Sequence, residues 1–284
     1  MCTVIGKYFN DHGWVAIKHR DRNYTPDVTF KKKSKNGIEV LYFWDNITQW
    51  CEGINSAGVA ILSASLMVSD DEKEYVTCSE KKPSKTGIKI RKALKKADIE
   101  QVVEYAIAEK LTGNTLIFNS ERMFLLEGAW KPGEYATEGY YYEVREIDHT
   151  DIVVRTNHGI WLPNTGYQHS DSDAHQTFNR KSSESRFKIS TNLANTASTP
   201  LELLDELAKD YTRNGQLNPF RTAVDPGQMH TTAQLMIIPS EFTFYIRNVE
   251  GKLKVDISKI DQLDYKLWVE FLSQKSILPQ KPAF

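Results

Sequence analysis

The residue with the most evident chemistry is Cys2, which directly follows Met1. Cytosolic aminopeptidases remove an initiator methionine when the next side chain is small, and cysteine is small enough. Removal would place a thiol and a free α-amine on one residue. Because an α-amine has a pKa of about 7.7–8.0, part of it is neutral near pH 7 and can accept the thiol proton. The start of the sequence therefore predicts a cysteine nucleophile that carries its own base.

Charged groups from a neighbouring strand are expected beside this thiol. The β-branched and aromatic residues of 3–9 and 14–20 predict two strands joined by a tight turn. Such a hairpin returns Lys18, Arg20 and Asp21 to the start of the first strand. A cation there would favour the thiolate, and the carboxylate would orient the α-amine. An exposed basic strand end explains the same charges equally well, and the choice between Lys18 and Arg20 as the cation stays open.

Two polar turns carry further candidates. Asn55 lies within a glycine-flanked turn that leads into a predicted core strand at 59–66. A later strand ends at Asn157, whose amide is of the kind that donates to an oxyanion, although asparagine caps a turn more often than it serves in catalysis. His158 follows it. Because an α-amine base needs no histidine, His158 is predicted to line the site or to be structural.

The remaining pattern consists of many strands with a few helices between them. Strands are predicted at 41–44, 59–66, 114–118, 122–127, 140–147, 151–155, 232–238 and 242–248, and helices at 99–111, 199–214 and 264–272. Runs of strands interrupted by helices indicate a layered α+β fold. No linker divides the chain, so residues 1–284 are predicted to form one domain, with the highly charged segment 70–96 as a surface insertion.

Composition limits the partners. With 36 basic and 37 acidic residues the net charge is -1, which predicts no attraction to nucleic acid or a membrane surface. No apolar run is long enough to span a bilayer, and no signal-peptide pattern is present. The three cysteines, Cys2, Cys51 and Cys78, are too few and too odd in number for a disulfide framework, which indicates a reducing, cytoplasmic location. The histidines show no metal-ligand spacing, so neither a metal nor a cofactor is predicted.

Several of these stretches resemble, in order, the motifs of one enzyme family. They are Met1-Cys2-Thr3, Lys18-His19-Arg20-Asp21, Gly53-Ile54-Asn55-Ser56-Ala57-Gly58-Val59, Thr156-Asn157, Ser185-Arg186-Phe187 and the final hairpin at 232–248. The chain resembles the N-terminal nucleophile hydrolases of the cholylglycine hydrolase and penicillin V acylase type, which are related to penicillin-forming acyltransferases and acid ceramidase. It departs from the pattern at Lys18, where bile-acid hydrolases usually carry Arg, and at Ser56, which replaces Glu.

The resemblance implies a fold and a set of roles. The fold would be a four-layer α-β-β-α sandwich of two stacked, mostly antiparallel sheets, with the nucleophile at the end of a central strand. Asp21 would orient the amine, Asn157 would donate to the oxyanion and Arg186 would support the site electrostatically. Substrate contacts are predicted at three further residues, Asn55, His158 and Trp161. An aromatic residue of this kind suits an apolar acyl pocket, although core packing explains it equally well.

The predicted function is amide hydrolysis. The enzyme would cleave a linear, non-peptide C–N bond of a small N-acyl compound through an acyl-enzyme on Cys2, and a homo-oligomer is compatible with relatives that are often tetramers. If an amine intercepts the acyl-enzyme, the same site is an acyltransferase. A glutamine amidotransferase domain ranks lower because no Arg-Gly-x-Asp or Gly-His-Asn segment occurs. A non-catalytic binding protein of the same fold is the remaining alternative, and retention of Met1 would favour it.

Overall fold

The computed structural model describes most of the chain. The described residues are 2–66, 85–130, 140–162, 165, 174–223, 225, 228–248, 252–255 and 266–271. Cys78 and residues 70–84 of the predicted surface insertion lie outside them. The insertion therefore stays a prediction, although its last part includes a helix, Lys85–Ala93, that contributes Ile90 and Ala93 to a buried cluster.

The described strands form two sheets. In chain order they are β1 Cys2–Phe9, β2 Gly13–Arg22, β3 Asp27–Lys35, β4 Ile38–Asp45, β5 Cys51–Asn55, β6 Ala60–Ala64, β7 Gly113–Phe118, β8 Met123–Trp130, β9 Tyr140–Glu146, β10 Ile152–Arg155, β11 His230–Ile238, β12 Thr243–Asn248, β13 Lys252–Val255 and β14 Lys266–Phe271. Sheet one has the order β10-β1-β2-β11-β12-β14, and sheet two has the order β13-β3-β4-β5-β6-β7-β8-β9. Neighbouring strands are antiparallel except in the β12–β14 and β13–β3 pairs.

Helices cover the outer faces of both sheets. The described helices are α1 Lys85–Ala93, α2 Ile99–Ala108, α3 Ala174–Thr196 and α4 Pro200–Glu206, with 3-10 turns at Gly215–Leu217 and Pro239–Glu241. One buried cluster joins the facing sides of the two sheets, and it includes Val4, Leu116 and Leu235. A second packs sheet two against α1 and α2, and a third packs sheet one against α3 and α4. The fold is therefore the α-β-β-α sandwich that the family resemblance implies, and it agrees with the layered α+β class that the residue pattern predicts.

The first hairpin places the amino-terminal end inside sheet one. Strand β1 pairs with β2 on one side and β10 on the other, and Cys2 lies opposite Arg20 in the β1–β2 register. The β-branched and aromatic residues of both strands favour this pairing. Gly13 closes the turn with a φ of 71°, a left-handed conformation that favours glycine. The predicted hairpin is confirmed, and it returns the end of β2 to the start of β1.

Two predicted elements differ from the structure. Residues 264–272 were predicted to be helical, but 266–271 form strand β14, which pairs in parallel with β12. The prediction was wrong because an open strand edge provides a hydrogen-bonding partner and because Trp268, Val269 and Phe271 favour a strand. The helix predicted at 199–214 is also too long, since α4 spans Pro200–Glu206.

The long helix α3 was not predicted. Its residues have a mean hydropathy below zero, and the sequence AHQTFNRKSSESRFKISTNLANT offers few apolar positions. The helix nevertheless packs against β10 and β1, and it carries Arg186 to the start of β1. Among the described residues, no helix is long and apolar enough to cross a membrane.

Acidification is expected to destabilise the protein through His19. This side chain is buried on the helix-facing side of β2, where Nδ1–H donates to the Pro219 carbonyl at 2.7 Å and Nε2 accepts from Gln234 at 2.9 Å. Burial lowers the pKa of His19 to about 4, although the hydrogen bond to Pro219 and the charge of Asp21 act to raise it. The unfolded chain, with an ordinary histidine pKa of about 6.5, then takes up the proton first. Stability from this group is complete above pH 6.5 and falls as the pH drops towards 4.

The loss attributable to His19 should reach about 2 kcal/mol at pH 5. Urea unfolding at pH 7 and pH 5 measures it. His19→Asn is the control, because its amide can replace the Nδ1–H donor but does not titrate. We expect the variant to lose this part of the pH dependence, whatever its stability at pH 7. Equal pH dependence in both proteins would show that His19 does not set the acid sensitivity.

Candidate active site

Cys2 lies at the start of β1 with its side chain between the two sheets. It is 3% exposed and belongs to the inter-sheet cluster. Side chains along a strand alternate between faces, so Lys18, Arg20 and Arg22 of β2 share the inter-sheet face with the thiol. His19 and Asp21 face the helical layer instead. The thiol therefore has three basic neighbours on one strand.

The thiol is activated by cations. Burial by itself would raise the pKa of Cys2, but the positive charges of Lys18, the amino terminus and Arg22 outweigh burial and lower it to about 7. Arg22 Nη1 lies 3.7 Å from Cys2 Sγ. Near neutral pH a substantial fraction of this thiol is therefore thiolate, the form that attacks an acyl carbon. Cys51, by contrast, has its pKa raised to about 12 by burial and by the neighbouring Glu52 carboxylate.

Lys18 is held by the opposite sheet. Its Nζ forms an ion pair with Glu52 and donates to the Ser63 carbonyl at 2.6 Å. Glu52 also accepts from Trp50 Nε1 at 2.9 Å, and the lysine ammonium lies 5.5 Å from the centroid of the Trp50 ring. A wholly buried ammonium requires a counter-charge. Glu52 supplies it, so that Lys18 can remain charged beside the thiol.

The two other basic residues of this face both approach Asp45, with Arg22 Nε at 3.8 Å, but their shorter hydrogen bonds differ. Arg20 donates to Asp45 at 2.9 Å and stacks 5.2 Å from the Phe43 ring. Arg22 donates to the hydroxyl of Tyr24 at 3.1 Å and to the backbone carbonyl of the preceding residue at 2.7 Å. Asp45 is thus the main partner of Arg20, whereas Lys18 and Arg22 supply the side-chain charges that favour the Cys2 thiolate. The choice between Lys18 and Arg20 as the cation stays a prediction; the charges that lower the pKa of Cys2 include those of Lys18 and Arg22.

The nitrogen of Cys2 lies in a separate hydrogen-bonded group. It donates to Asn157 Oδ1 at 3.2 Å, and Arg186 Nη2 donates to the same oxygen at 2.9 Å. Arg186 Nη1 also donates to the Cys2 carbonyl at 3.1 Å and to Thr3 Oγ1 at 2.9 Å. Because the Cys2 nitrogen and Arg186 Nη2 are both donors, the atom of Asn157 that they contact is the amide oxygen, and the orientation of this amide is fixed. Its Nδ2 donates to the Ser65 carbonyl at 2.7 Å.

Asp21 joins this group from the helix-facing side of β2. Its Oδ1 accepts from Thr231 Oγ1 at 2.8 Å, and its Oδ2 lies 3.7 Å from Arg186 Nη1 and 3.8 Å from Arg221 Nη1. The carboxylate is fully buried between these two guanidinium groups. Asp21 is therefore linked to Cys2 through Arg186, whose Nη1 also donates to the Cys2 carbonyl.

The loop that carries Asn157 is fixed at both ends. The Asn157 N–H donates to Ser183 Oγ of α3 at 2.9 Å. Further along, the buried Glu127 carboxylate accepts the backbone N–H groups of Ile160, Trp161 and Leu162 at 2.9–3.3 Å. A carboxylate that accepts several backbone donors anchors a loop rigidly. The amide of Asn157 is thus presented to Cys2 from a rigid support.

The predicted substrate contacts are separated from one another. Asn55 faces the α1 side of sheet two, where its Nδ2 donates to the carbonyls of Leu94 and Lys96. His158 bonds to Ser183 Oγ at 2.9 Å through Nδ1, and burial lowers the pKa of this imidazole. Trp161 is stacked near two arginine side chains, those of residues 145 and 155, at 4.4 and 4.5 Å. The described contacts bring none of the three to Cys2, and their part in substrate binding stays a prediction.

Four groups around the site were not predicted: Arg22, Asp45, Glu52 and Ser183. Strand alternation was the available signal for Arg22, because residues 18, 20 and 22 of one strand must share a face. The other three come from β4, β5 and α3, and only the packing of the layers brings them to β1 and β2. Among the residues that the structure describes, no three His, Cys, Asp or Glu side chains are grouped as a metal site.

Comparison with known proteins finds structural likeness only. No protein-family model matches the sequence, and no curated protein sequence matches it. The chain is similar to the C2A mutant of a conjugated bile acid hydrolase from Clostridium perfringens, with 12% identity and a TM-score of 0.45 over 87% of this chain and 89% of that one. It is also similar to penicillin V acylase from Agrobacterium tumefaciens, with 13% identity and a TM-score of 0.45 over 93% and 88% of the two chains.

Proposed function

We propose that the chain is an amidohydrolase that cleaves a linear, non-peptide C–N bond of an N-acyl compound. One observation carries the proposal: the pKa of the buried Cys2 thiol is lowered to about 7 while the nitrogen of the same residue is held by Asn157. Removal of Met1 would convert that nitrogen from a peptide N–H into an α-amine at the same place. Nucleophile and base would then be adjacent and oriented.

In the first half-reaction the Cys2 thiolate attacks the acyl carbonyl carbon, and the carbonyl electrons move to oxygen. The tetrahedral intermediate collapses when the C–N bond breaks and the departing nitrogen takes a proton from the α-ammonium of Cys2. Asn157 accepts a hydrogen bond from this group and keeps it in position, and Asp21 stabilises its charged form. The products are a thioester on Cys2 and a free amine.

In the second half-reaction the α-amine takes a proton from water, and the hydroxide adds to the thioester carbon. Collapse of this intermediate breaks the C–S bond, releases the carboxylic acid and regenerates the thiolate and the protonated base. If a second amine replaces water, the same steps transfer the acyl group. The two outcomes differ in the acceptor alone.

Intact mass measurement tests the proposal directly. We expect the purified protein to begin at Cys2, and a panel of N-acyl compounds with varied acyl groups to give one acyl adduct that disappears with time. Adding hydroxylamine or a second amine should divert the adduct if transfer competes with hydrolysis. An active preparation that retains Met1 would rule out the α-amine as the base, because the Cys2 nitrogen would then be a peptide nitrogen.

A further inference from the structure

We propose that Arg22 is a catalytic residue that donates a hydrogen bond to the oxyanion formed when Cys2 attacks its substrate. The inference rests on the proposed function and adds to it a group that the sequence motifs do not contain. The starting observation is the position of Arg22 Nη1, 3.7 Å from Cys2 Sγ. Among the described hydrogen bonds, Arg22 is the side chain that donates to Cys2 Sγ.

Asn157 by itself can supply only part of this task. Its Oδ1, an acceptor, faces the Cys2 nitrogen and Arg186, and its Nδ2 donates to the Ser65 carbonyl. An oxyanion requires a donor. The Asn157 Nδ2 carries two hydrogens and uses one of them for the Ser65 carbonyl, so this side chain can supply one donor to the oxyanion, and Arg22 would supply a second.

Arg22 lies close enough to Cys2 to donate to an oxyanion on the attacked carbon. That oxygen is two covalent bonds from Sγ, so a donor now beside the sulfur needs little movement to approach the about 2.7–3.1 Å that oxyanion-hole donors require. The guanidinium is held by Tyr24, by Asp45 and by the Asp21 carbonyl, which accepts one hydrogen of the same Nη1 at 2.7 Å, so that the second Nη1 hydrogen is the one available to the oxyanion. The side chain of Arg22 is also 11% exposed, in contrast to the wholly buried Lys18, which Glu52 and Ser63 hold in place.

The negative charge of the reaction moves from the Cys2 sulfur to the carbonyl oxygen, and Arg22 lies near both positions. In the resting site the guanidinium stabilises the thiolate, and this contact is reflected in the lowered pKa of Cys2. When the S–C bond forms, the negative charge leaves sulfur and appears on the carbonyl oxygen. A guanidinium stays protonated at all relevant pH values, so Arg22 can follow the charge without exchanging a proton. No co-reactant is needed.

A p-nitrophenyl acetate assay separates the two roles of Arg22. Its leaving group needs no protonation, so the burst of p-nitrophenolate reports attack by the thiolate. We compare wild type, Arg22→Gln and Arg22→Lys over a pH range that ends well above the thiol pKa, and we measure that pKa independently from iodoacetamide alkylation of Cys2. Arg22→Gln should raise the thiol pKa. It should also lower the rate on the high-pH plateau by about 10²–10³-fold, the usual cost of losing one oxyanion donor.

Arg22→Lys should keep most of the pKa effect and recover part of the plateau rate, because it keeps the charge but not the geometry. Lys209→Gln, which removes one exposed positive charge from the ion pair with Glu206, is the charge-matched control and should behave like wild type. If Arg22→Gln regains the wild-type rate once its thiol is fully ionised, Arg22 stabilises only the thiolate and the proposal is overturned.

This assay does not depend on amide hydrolysis. If the wild-type protein is acylated by the ester but turns over no amide, the proposed function fails while the role of Arg22 can still be read from the plateau. If wild-type Cys2 is acylated no faster than a small-molecule thiol of equal pKa, no oxyanion site exists, and the inference about Arg22 is wrong as well.

Discussion

Cys2→Ala is expected to abolish amide turnover, whereas Cys51→Ala should retain it. The sulfur of Cys2 is the atom that would carry the acyl group, and no other described thiol can replace it. Cys51 is buried on the opposite face of sheet two, where its Sγ donates to the Gly87 carbonyl at 3.5 Å. Cys2→Ser should keep a small fraction of the rate, because a hydroxyl can use the same base but ionises far less readily.

Alkylation provides the same distinction without substrate. With a pKa of about 7 for Cys2 and about 12 for Cys51, the thiolate fractions near pH 6.5 differ by roughly 10⁵-fold. Limiting iodoacetamide should therefore label Cys2 first, and activity should fall in proportion to that label. Peptide mapping after partial alkylation covers Cys78 as well. Activity that tracks the labelling of Cys51 or Cys78 would contradict the assignment of the nucleophile.

Asp21→Asn is expected to remove most turnover and to weaken the fold. The carboxylate is buried between Arg186 and Arg221, so the amide leaves two guanidinium groups without their counter-charge. Loss of one partner of a buried ion pair costs about 3–5 kcal/mol. Turnover should fall by about 10²–10⁴-fold, the range for a lost proton-transfer group, because the α-ammonium form of Cys2 is no longer stabilised.

The two effects can be measured separately. Urea unfolding gives the free energy of unfolding. Turnover is measured without urea, under conditions in which the same unfolding curve shows the variant to be folded. Asp205→Asn is the matched control, since it neutralises an exposed aspartate paired with Arg247 and should change neither quantity appreciably. Wild-type turnover in a destabilised Asp21→Asn protein would assign the carboxylate a purely structural role.

The first hairpin shows what the sequence alone could predict. Strand propensity and the tight turn after Phe9 were sufficient to bring Lys18 and Asp21 near Cys2, because these contacts are local along the chain. The pattern also predicted the class of fold. It did not reveal that Lys18 is paired with Glu52, since this contact exists only where two separately formed sheets meet face to face.

Helix α3 shows why other parts were missed. Its buried residues recur with helical spacing, but most of them are polar, so a search for apolar periodicity overlooks them. They are Asn179, Ser182, Ser183, Arg186, Ser190 and Ala194. Their side chains are accommodated in the interior because several bond to the loops of the site, as Ser183 does with the N–H of Asn157. A polar stripe of small residues at this spacing was the signal that could have located the helix.

The central position of β1 constrains the order of events during synthesis. The neighbours of Cys2 are spread along the chain, and β11, which completes the inner side of sheet one, begins only at His230. At a synthesis rate of about 5–20 residues per second, roughly 10–45 s pass between the emergence of Cys2 and that of β11. During this interval β1 can pair with β2 and later with β10, but sheet one still lacks β11, β12 and β14 and the amino terminus is more open to processing enzymes. Once the sandwich closes, Cys2 is 3% exposed. The proposed removal of Met1 is therefore expected before the sandwich closes, and slow processing should then give a folded but inactive protein.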